Sequence, residues 1–370
     1  MRVLITGGAG FIGSHLVDRF HKEGFRVRVL DNLDPKIHPA GVPPQFPPGV
    51  EFIRGDVTDR ETLRYALENV DVVSHQAAYQ DYMPDFARFM AVNAVGTALL
   101  YELIVQCRFK VKKVIVASSQ SVYGEGQYLC ATHGSFLPPP RSAEQLRRNQ
   151  WEVCCVECGH EASPALLLEH SPNPYNQYAV SKLAQEKTAL GLGWIHGIPT
   201  VALRYSITQG PRQSLFNHYS GICRIFVSRA LCGKPLLIYE DGHQTRDFVH
   251  IEDVVNANLL VLERDAADGQ AFNVGSGRRT SALDYAKLVR NKTGKQVEFR
   301  IPREYRIGDN RHSVSAISKL EALGWRPKRD LSNILDDFLK WVEMIGGIPD
   351  QIQDAYSHMK EAGVVLVATS

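Results

Sequence analysis

Tyr178 and Lys182 stand four residues apart in Tyr-Ala-Val-Ser-Lys. On a helix that spacing puts both side chains on one face. A tyrosine with an ordinary pKa near ~10 is a poor base at neutral pH. An ammonium beside it favours the phenolate, which could then take a proton from a hydroxyl. Tyr175 lacks this arrangement, since Ala179 stands four residues on. Upstream, an apolar run ends in Ala117-Ser-Ser-Gln-Ser-Val-Tyr-Gly124. Ser119 there is placed to hydrogen-bond a reacting oxygen, with Ser121 in support. Taken singly, the serines could cap a turn and the Tyr/Lys pair could be surface.

A second group of residues suits an anion. Residues 6–13 read Thr-Gly-Gly-Ala-Gly-Phe-Ile-Gly, so Gly7, Gly10 and Gly13 form G-x-x-G-x-x-G directly after a strand pattern and at the opening of a helix pattern. Glycines there permit a tight turn and close approach to a pyrophosphate, and the helix N-terminus offers free N–H groups. The next strand pattern ends at Asp31, eighteen residues past Gly13. A carboxylate there accepts from ribose hydroxyls and repels a 2′-phosphate, which favours NAD over NADP. The alternative is an Asp that caps a loop. Asp56-Val57 and Ala77-Ala78 follow the third and fourth strand patterns.

Positioning such residues takes alternating strands and helices. Val3–Ile5, Val27–Leu30, Glu51–Ile53, Val70–Ser74 and Val114–Ala117 read as strands, and 12–23, 60–69 and 92–108 as helices. That alternation predicts a doubly wound parallel sheet covered on both faces. A helix resumes around Tyr178 and a strand follows at 199–203. From about 205 to 330 the pattern is less regular, with short strands expected at 235–239, 270–274 and 296–300; 331–345 reads as an amphipathic helix. The expected division is 1–204 as a cofactor-binding Rossmann domain, mainly 205–345 as a smaller α/β substrate domain, and 346–370 as an extension.

Residues 126–172 break the alternation and read as an insertion. It carries Cys130-Ala-Thr-His133 and Cys155-Val-Glu-Cys158. Two tight pairs of this kind suit a tetrahedral structural zinc held by Cys130, His133, Cys155 and Cys158. Cys154 and His160 are substitutes in that ligand set, and free cysteines in a loop are the alternative. Seven cysteines, an odd number in a chain of 370 residues, do not suggest a disulfide framework. Forty-two basic and 40 acidic residues leave a net charge of +2, with no electrostatic case for nucleic acid or an anionic membrane. No signal peptide and no apolar run of membrane-spanning length is evident, so a cytoplasmic protein is expected.

Together TGGAGFIG, Asp31, Gly-Asp-Val at 55–57, SSQSVYG and YAVSK resemble the extended short-chain dehydrogenases of the nucleotide-sugar epimerase/dehydratase family. The resemblance runs from residue 1 to about 345. It implies NAD as cofactor, a nucleotide-sugar substrate, and a homodimer packed through two helices, here 92–108 and 178–194. It implies catalysis by Ser119, Tyr178 and Lys182, a diphosphate grip by Arg246, and nucleotide contacts by Arg306 and Asp309. The wider candidate set adds Phe11, Ile12, Asn32 and Asn93 for the cofactor, and Ser121, Tyr205 and Asn217 for the substrate. Family dehydratases carry Asp-Glu directly after the catalytic hydroxyl residue, whereas this chain has Gln120 and Ser121. Epimerisation through a transient 4-keto sugar is therefore the expected reaction. A reductase, dehydrogenase or dehydratase on the same fold is the alternative enzyme, and a catalytically silent NAD-binding sensor the alternative of another kind. The chain departs from the family's usual R-Y-F-N-V-Y-G-P by reading Arg204-Tyr-Ser-Ile-Thr-Gln-Gly-Pro211, so Ile207 replaces an Asn that usually meets substrate. The insertion, with Leu-Asp-Asn-Leu-Asp at 30–34 and Gly-Pro-Arg-Gln-Ser-Leu at 210–215, is similar to the dTDP-L-rhamnose 4-epimerase branch of that family.

Overall fold

The computed structural model describes residues 1–215, 221–348 and 352–369. Seven strands form the central sheet: β1 (Arg2–Thr6), β2 (Arg26–Asp31), β3 (Glu51–Arg54), β4 (Val72–His75), β5 (Lys113–Ser119), β6 (Thr200–Tyr205) and β7 (Gln270–Val274). Their order is β7-β6-β5-β4-β1-β2-β3, with every pairing parallel. Strand order reverses between β1 and β4, the switch point at which a doubly wound sheet opens a crevice beyond its strand ends.

Both faces of the sheet are buried. On β1, Val3 and Ile5 join one apolar cluster with Leu16, Val17 and Phe20 of helix α1 (Phe11–Lys22). Leu4, between them, joins the opposite cluster with Leu63 and Leu67 of α2 (Arg60–Leu67) and Leu100, Leu103 and Ile104 of α3 (Gly96–Gln106). This period-two split explains why the strands read as unbroken apolar runs. The helix carrying Tyr178 and Lys182 is α4 (Gln177–His196), capped by the Asn176 side chain on the Ala179 N–H and ended by Gly197 in the left-handed region.

The later part of the chain returns to the sheet. Helix α5 (Ile251–Leu262) lays Ile251 and Val255 against the α1 side, and the 270–274 segment is β7, paired with β6. A central-sheet strand so far along the chain was not expected. Between and after these elements lies a smaller lobe of helices Ile222–Leu231, Ala282–Thr293 and Leu331–Met344 around short strand pairs. Its core includes Phe226, Phe248, Tyr285, Ile334 and Phe338. The expected helix at 331–345 is present, with a capping box between Asp330 and Asn333.

The insertion builds a three-stranded antiparallel sheet in which Tyr128–Cys130 lies between Gly134–Phe136 and Ser163–Pro164. Beyond residue 345, helix Ile352–Glu361 leads to Leu366–Val367, which pairs antiparallel with Glu304–Tyr305. One expectation needs correction. The 21-residue helical stretch Phe86–Gln106 contains an 18-residue window of mean hydropathy 1.4, enough in length and apolarity for a membrane span. Half of it is buried in this fold, where it packs on α4 and the sheet, so its apolarity is that of a core helix.

Candidate active site

One continuous cleft of about 670 Å³ runs from the glycine loop at the switch point to the smaller lobe. Its first part is shaped by backbone. Gly7 has a φ of +68°, and a Cβ there would lie 2.7 Å from the Ala77 nitrogen. A Cβ on Gly13 would lie 2.1 Å from the Gly7 carbonyl oxygen. The loop thus packs against the β4 end and the helix packs against the loop, as an anion cradle requires. No side chain caps the N-terminus of α1, whose cap residue is Gly10. Asp31, almost wholly buried at the end of β2, accepts from the Ala9 N–H (3.0 Å) and the Leu33 N–H (2.8 Å). Burial pushes its carboxyl above the usual range, opposed by those two backbone bonds. Next to it, Asn32 donates to Asp56 (2.8 Å).

Phe11, Ile12, Asn32, Asp56, Val57, Ala77 and Ala78 all line this part of the cleft, as expected for a dinucleotide. Asn93 does not. It is fully buried behind the wall, where its side chain accepts from the Tyr79 N–H (2.7 Å) and donates to the Tyr79 carbonyl (3.0 Å) and Ser181 Oγ (2.9 Å). Asn93 therefore positions Tyr79 and ties α4 to the loop after β4, standing behind the cleft rather than in its lining.

Ser119, at least 59 residues before the other two, meets Tyr178 and Lys182 in the middle of the cleft. Ser119 ends β5, and its Oγ accepts from the Ser121 N–H (3.1 Å) and Oγ (2.9 Å). Burial pushes the Tyr178 phenol up to about 12, opposed by a hydrogen bond with Ser119. The neighbourly effect expected of Lys182 takes another form. Its buried Nζ donates to the Ala117 carbonyl and to Gln185 Oε1 (2.5 Å), and burial lowers its pKa to about 7. The ammonium is held at the floor of the cleft rather than on the phenol.

That pKa carries a stability consequence. Between about pH 7 and the ordinary 10.5, unfolded chain keeps a proton on Lys182 that folded chain has released. Stability therefore rises with pH across that window. Urea midpoints measured from pH 7 to 9.5 should climb more steeply in the wild type than in Lys182→Met; equal slopes would show that Lys182 is not held as described.

Gln120 directly follows Ser119. Its buried amide donates to Ser206 Oγ (3.1 Å) and Ser315 Oγ (2.8 Å). Beneath Ser119, Arg204 pairs with Glu186 (2.6 and 2.9 Å), and Glu186 accepts from Ser118 (2.7 Å), which stiffens the β5–α4 junction. Ile207 lines the cleft, its strand paired with Phe248–His250.

Toward the smaller lobe, Arg246 and the Arg306/Asp309 pair line the cleft. Arg246 donates to the carbonyls of Arg311 (3.1 Å) and Asn310 (2.7 Å). Arg306 and Asp309 pair with each other (2.6 and 2.8 Å), and the guanidinium stacks over Tyr82 and Tyr239. Tyr205 lines the cleft, yet its hydroxyl is engaged by Asn258 (3.1 Å) and Gln76 (3.3 Å). Asn217 lies outside the described residues. The sequence reading missed Arg224, Tyr239, Tyr356 and Met359, which also line this end. A lone arginine inside the apolar run Ile222–Val227 was the available signal for Arg224.

The insertion brings Cys130, His133, Cys155 and Cys158 together, with all four ligand atoms within 4.8 Å of one another. Cys130 Sγ is 3.7 Å from both Cys158 Sγ and His133 Nδ1, and Cys155 Sγ is 3.4 Å from His133 Nδ1. Such edges match a tetrahedron with metal bonds of about 2.0–2.3 Å. The sulfurs are too far apart for a disulfide, and the cysteines are free. Backbone N–H groups of His133 and Thr132 lower the Cys130 thiol to about 6, which favours a thiolate ligand. Cys154 is exposed and stands outside the four.

Residues 3–144 and 154–275 match the model of the NAD dependent epimerase/dehydratase family, with the interruption falling inside the insertion. The chain is 34% identical to dTDP-L-rhamnose 4-epimerase of Burkholderia thailandensis, over 92% of this chain and 94% of that one. Among solved structures, it is similar to UDP-glucose 4-epimerase of Thermotoga maritima with UDP-glucose (29% identity, TM-score 0.74, 93% and 99% of the two chains). It is also similar to UDP-glucuronic acid 4-epimerase of Bacillus cereus in complex with UDP-glucuronic acid and NAD (26%, TM-score 0.74, 93% and 100%).

Proposed function

The chain belongs to the NAD dependent epimerase/dehydratase family, and from that premise we propose that it is a nucleotide-sugar 4-epimerase whose first substrate to test is a dTDP-6-deoxyhexose. The observation that carries the reading is the meeting of Ser119, Tyr178 and Lys182 in one cleft between the glycine loop and Arg246, with Gln120 in place of an acid.

Gly7, Gly10 and Gly13 would hold the pyrophosphate of NAD against the start of α1, and Asp31 would meet the adenosine ribose. Bound NAD supplies the hydride acceptor and, in the return step, the donor. Tyr178 Oη takes the proton of the sugar C4 hydroxyl, and Ser119 Oγ holds that oxygen while it becomes a carbonyl. Lys182, with its proton only weakly held, favours the phenolate when it is charged. After the 4-keto sugar presents its other face, Tyr178 returns the proton. Arg246 and Arg306 would grip the diphosphate and nucleotide, keeping the intermediate in the cleft while the sugar turns. Ile207 leaves an apolar wall where an amide usually stands, which suits a sugar with fewer hydroxyls.

Two further assignments belong to this reading. Cys130, His133, Cys155 and Cys158 would hold a zinc ion that serves as a structural clip. A homodimer packed through the helices Phe86–Gln106 and Gln177–His196 would cover apolar side chains exposed on them, among them Val95, Val180 and Trp194.

The test is NMR of the purified protein with dTDP-L-rhamnose and a panel of UDP-hexoses, with no NAD added. Conversion to a stereoisomer without net nicotinamide reduction is the expected result. Conversion only with added NAD, together with net reduction, would replace the epimerase by a dehydrogenase; no conversion by NAD-loaded protein across the panel would favour the sensor.

A further inference from the structure

The insertion and the smaller lobe share a buried charge cluster that the reaction does not use. Arg141, from the insertion, is buried and donates to Glu125 (2.9 Å), to both oxygens of Glu240 (3.0 and 3.1 Å), and to the carbonyls of Trp151 (3.0 Å) and Asp309 (2.8 Å). Arg311 is fully buried and donates to Glu152 (2.5 and 3.0 Å), Glu240 (2.7 Å) and Asp241 (2.8 Å). Its backbone N–H is bound by Glu125 (2.7 Å). Glu152 also meets His312 (3.1 Å). Two guanidinium groups and four carboxylates thus fix one another: Arg141, Arg311, Glu125 and Glu240 are buried, while Glu152 and Asp241 sit half-buried at the edge of the set, and the buried charges are best held while the set is complete.

Each end of the cluster reaches a site. At one end, Glu152 stands three residues before Cys155, on the segment whose Val153 carbonyl accepts from Ala162 (2.9 Å) and whose Cys155 N–H donates to the His160 carbonyl (2.8 Å). That hairpin is the one the metal ligands close. At the other end, the Arg311 and Asn310 carbonyls accept from the Arg246 guanidinium, and the Asp309 carbonyl accepts from Arg141. Arg246 and Asp309 line the cleft.

We propose that the metal clip positions the diphosphate-binding arginine: a metal on Cys130, His133, Cys155 and Cys158 fixes Glu152, Glu152 fixes Arg311, and Arg311 orients Arg246 toward an anionic substrate. Glu152 and Arg311 are positioning residues in this scheme. It rests on two readings given above, that the four ligands hold zinc and that Arg246 meets the diphosphate.

The test uses the full chain with its bound NAD and dTDP as the probe. Zinc content is measured first, by elemental analysis. Calorimetry then follows dTDP binding before chelation, after chelation and after zinc is returned, with retained NAD as the check that the cofactor half stays folded. Losing a well-oriented charged hydrogen bond should weaken dTDP binding roughly tenfold. NAD content should be unchanged, and zinc should restore the affinity. Glu152→Gln should raise the KM for the nucleotide sugar more than it lowers kcat, with zinc still bound. In Arg246→Ala, chelation should cause no further loss. Bound zinc whose removal leaves dTDP affinity unchanged would overturn the link while leaving the metal reading intact. Protein that binds no zinc would overturn both. If chelation releases NAD, Glu152→Gln decides: unchanged dTDP affinity in that variant overturns the proposal.

Discussion

Replacing Tyr178 by Phe is expected to lower turnover by on the order of 10²–10⁴-fold while NAD stays bound and the substrate KM moves little. The substitution removes one oxygen. The ring stays packed, and the glycine loop, Asp31 and Arg246 are untouched. Only the group proposed to take and return the proton is lost. The hydrogen bond with Ser119 goes as well, which leaves Ser119 held by Ser121 alone among the described contacts. Steady-state kinetics with the substrate identified by NMR, alongside NAD released from denatured protein, makes the comparison. Retained turnover would move the base elsewhere, and lost NAD would mean that Tyr178 is chiefly a cofactor contact.

Gly13→Ala is expected to strip the protein of NAD and to destabilise it by about 1–3 kcal/mol. The added methyl would sit 2.1 Å from the Gly7 carbonyl oxygen and 2.7 Å from Gly8 Cα, both backbone atoms with no rotamer to yield. Relief must come from lifting α1 off the loop, which moves the helix N-terminus away from the pyrophosphate. Cofactor content and the urea midpoint report the two effects separately. A variant that keeps full NAD would show that the loop is not the cradle described.

The fold and the meeting of Ser119, Tyr178 and Lys182 in one cleft were legible because their signals are local or periodic. Val3–Ile5 and its sister runs mark strands buried on both faces, and Tyr178 and Lys182 share a helix face by spacing alone. The clustering of Cys130, His133, Cys155 and Cys158 was legible because they come in two tight pairs. What stayed hidden depends on partners far along the chain. Lys182 looked like a neighbour of Tyr178, but Ala117 and Gln185 hold its ammonium. Asn93 carries no local mark of being enclosed by Tyr79 and Ser181. The charges of Arg141 and Arg311 meet carboxylates up to 159 residues away, a pairing that no spacing rule reveals. Strand β7 could not be placed because a short apolar run does not say which sheet it joins.

Strand β7 also limits how this protein could be recombined with its relatives. A cut at residue 204 looks like a border between a cofactor half and a substrate half. A fragment ending there would leave the β6 edge bare and expose the α1 face that Ile251 and Val255 cover. An exchange of the substrate half by one crossover would therefore graft foreign sheet and helix onto the cofactor core. Swapping specificity cleanly needs junctions near residues 206, 250 and 275, so that α5 stays with the α1 face it covers and β7 with the β6 edge it pairs.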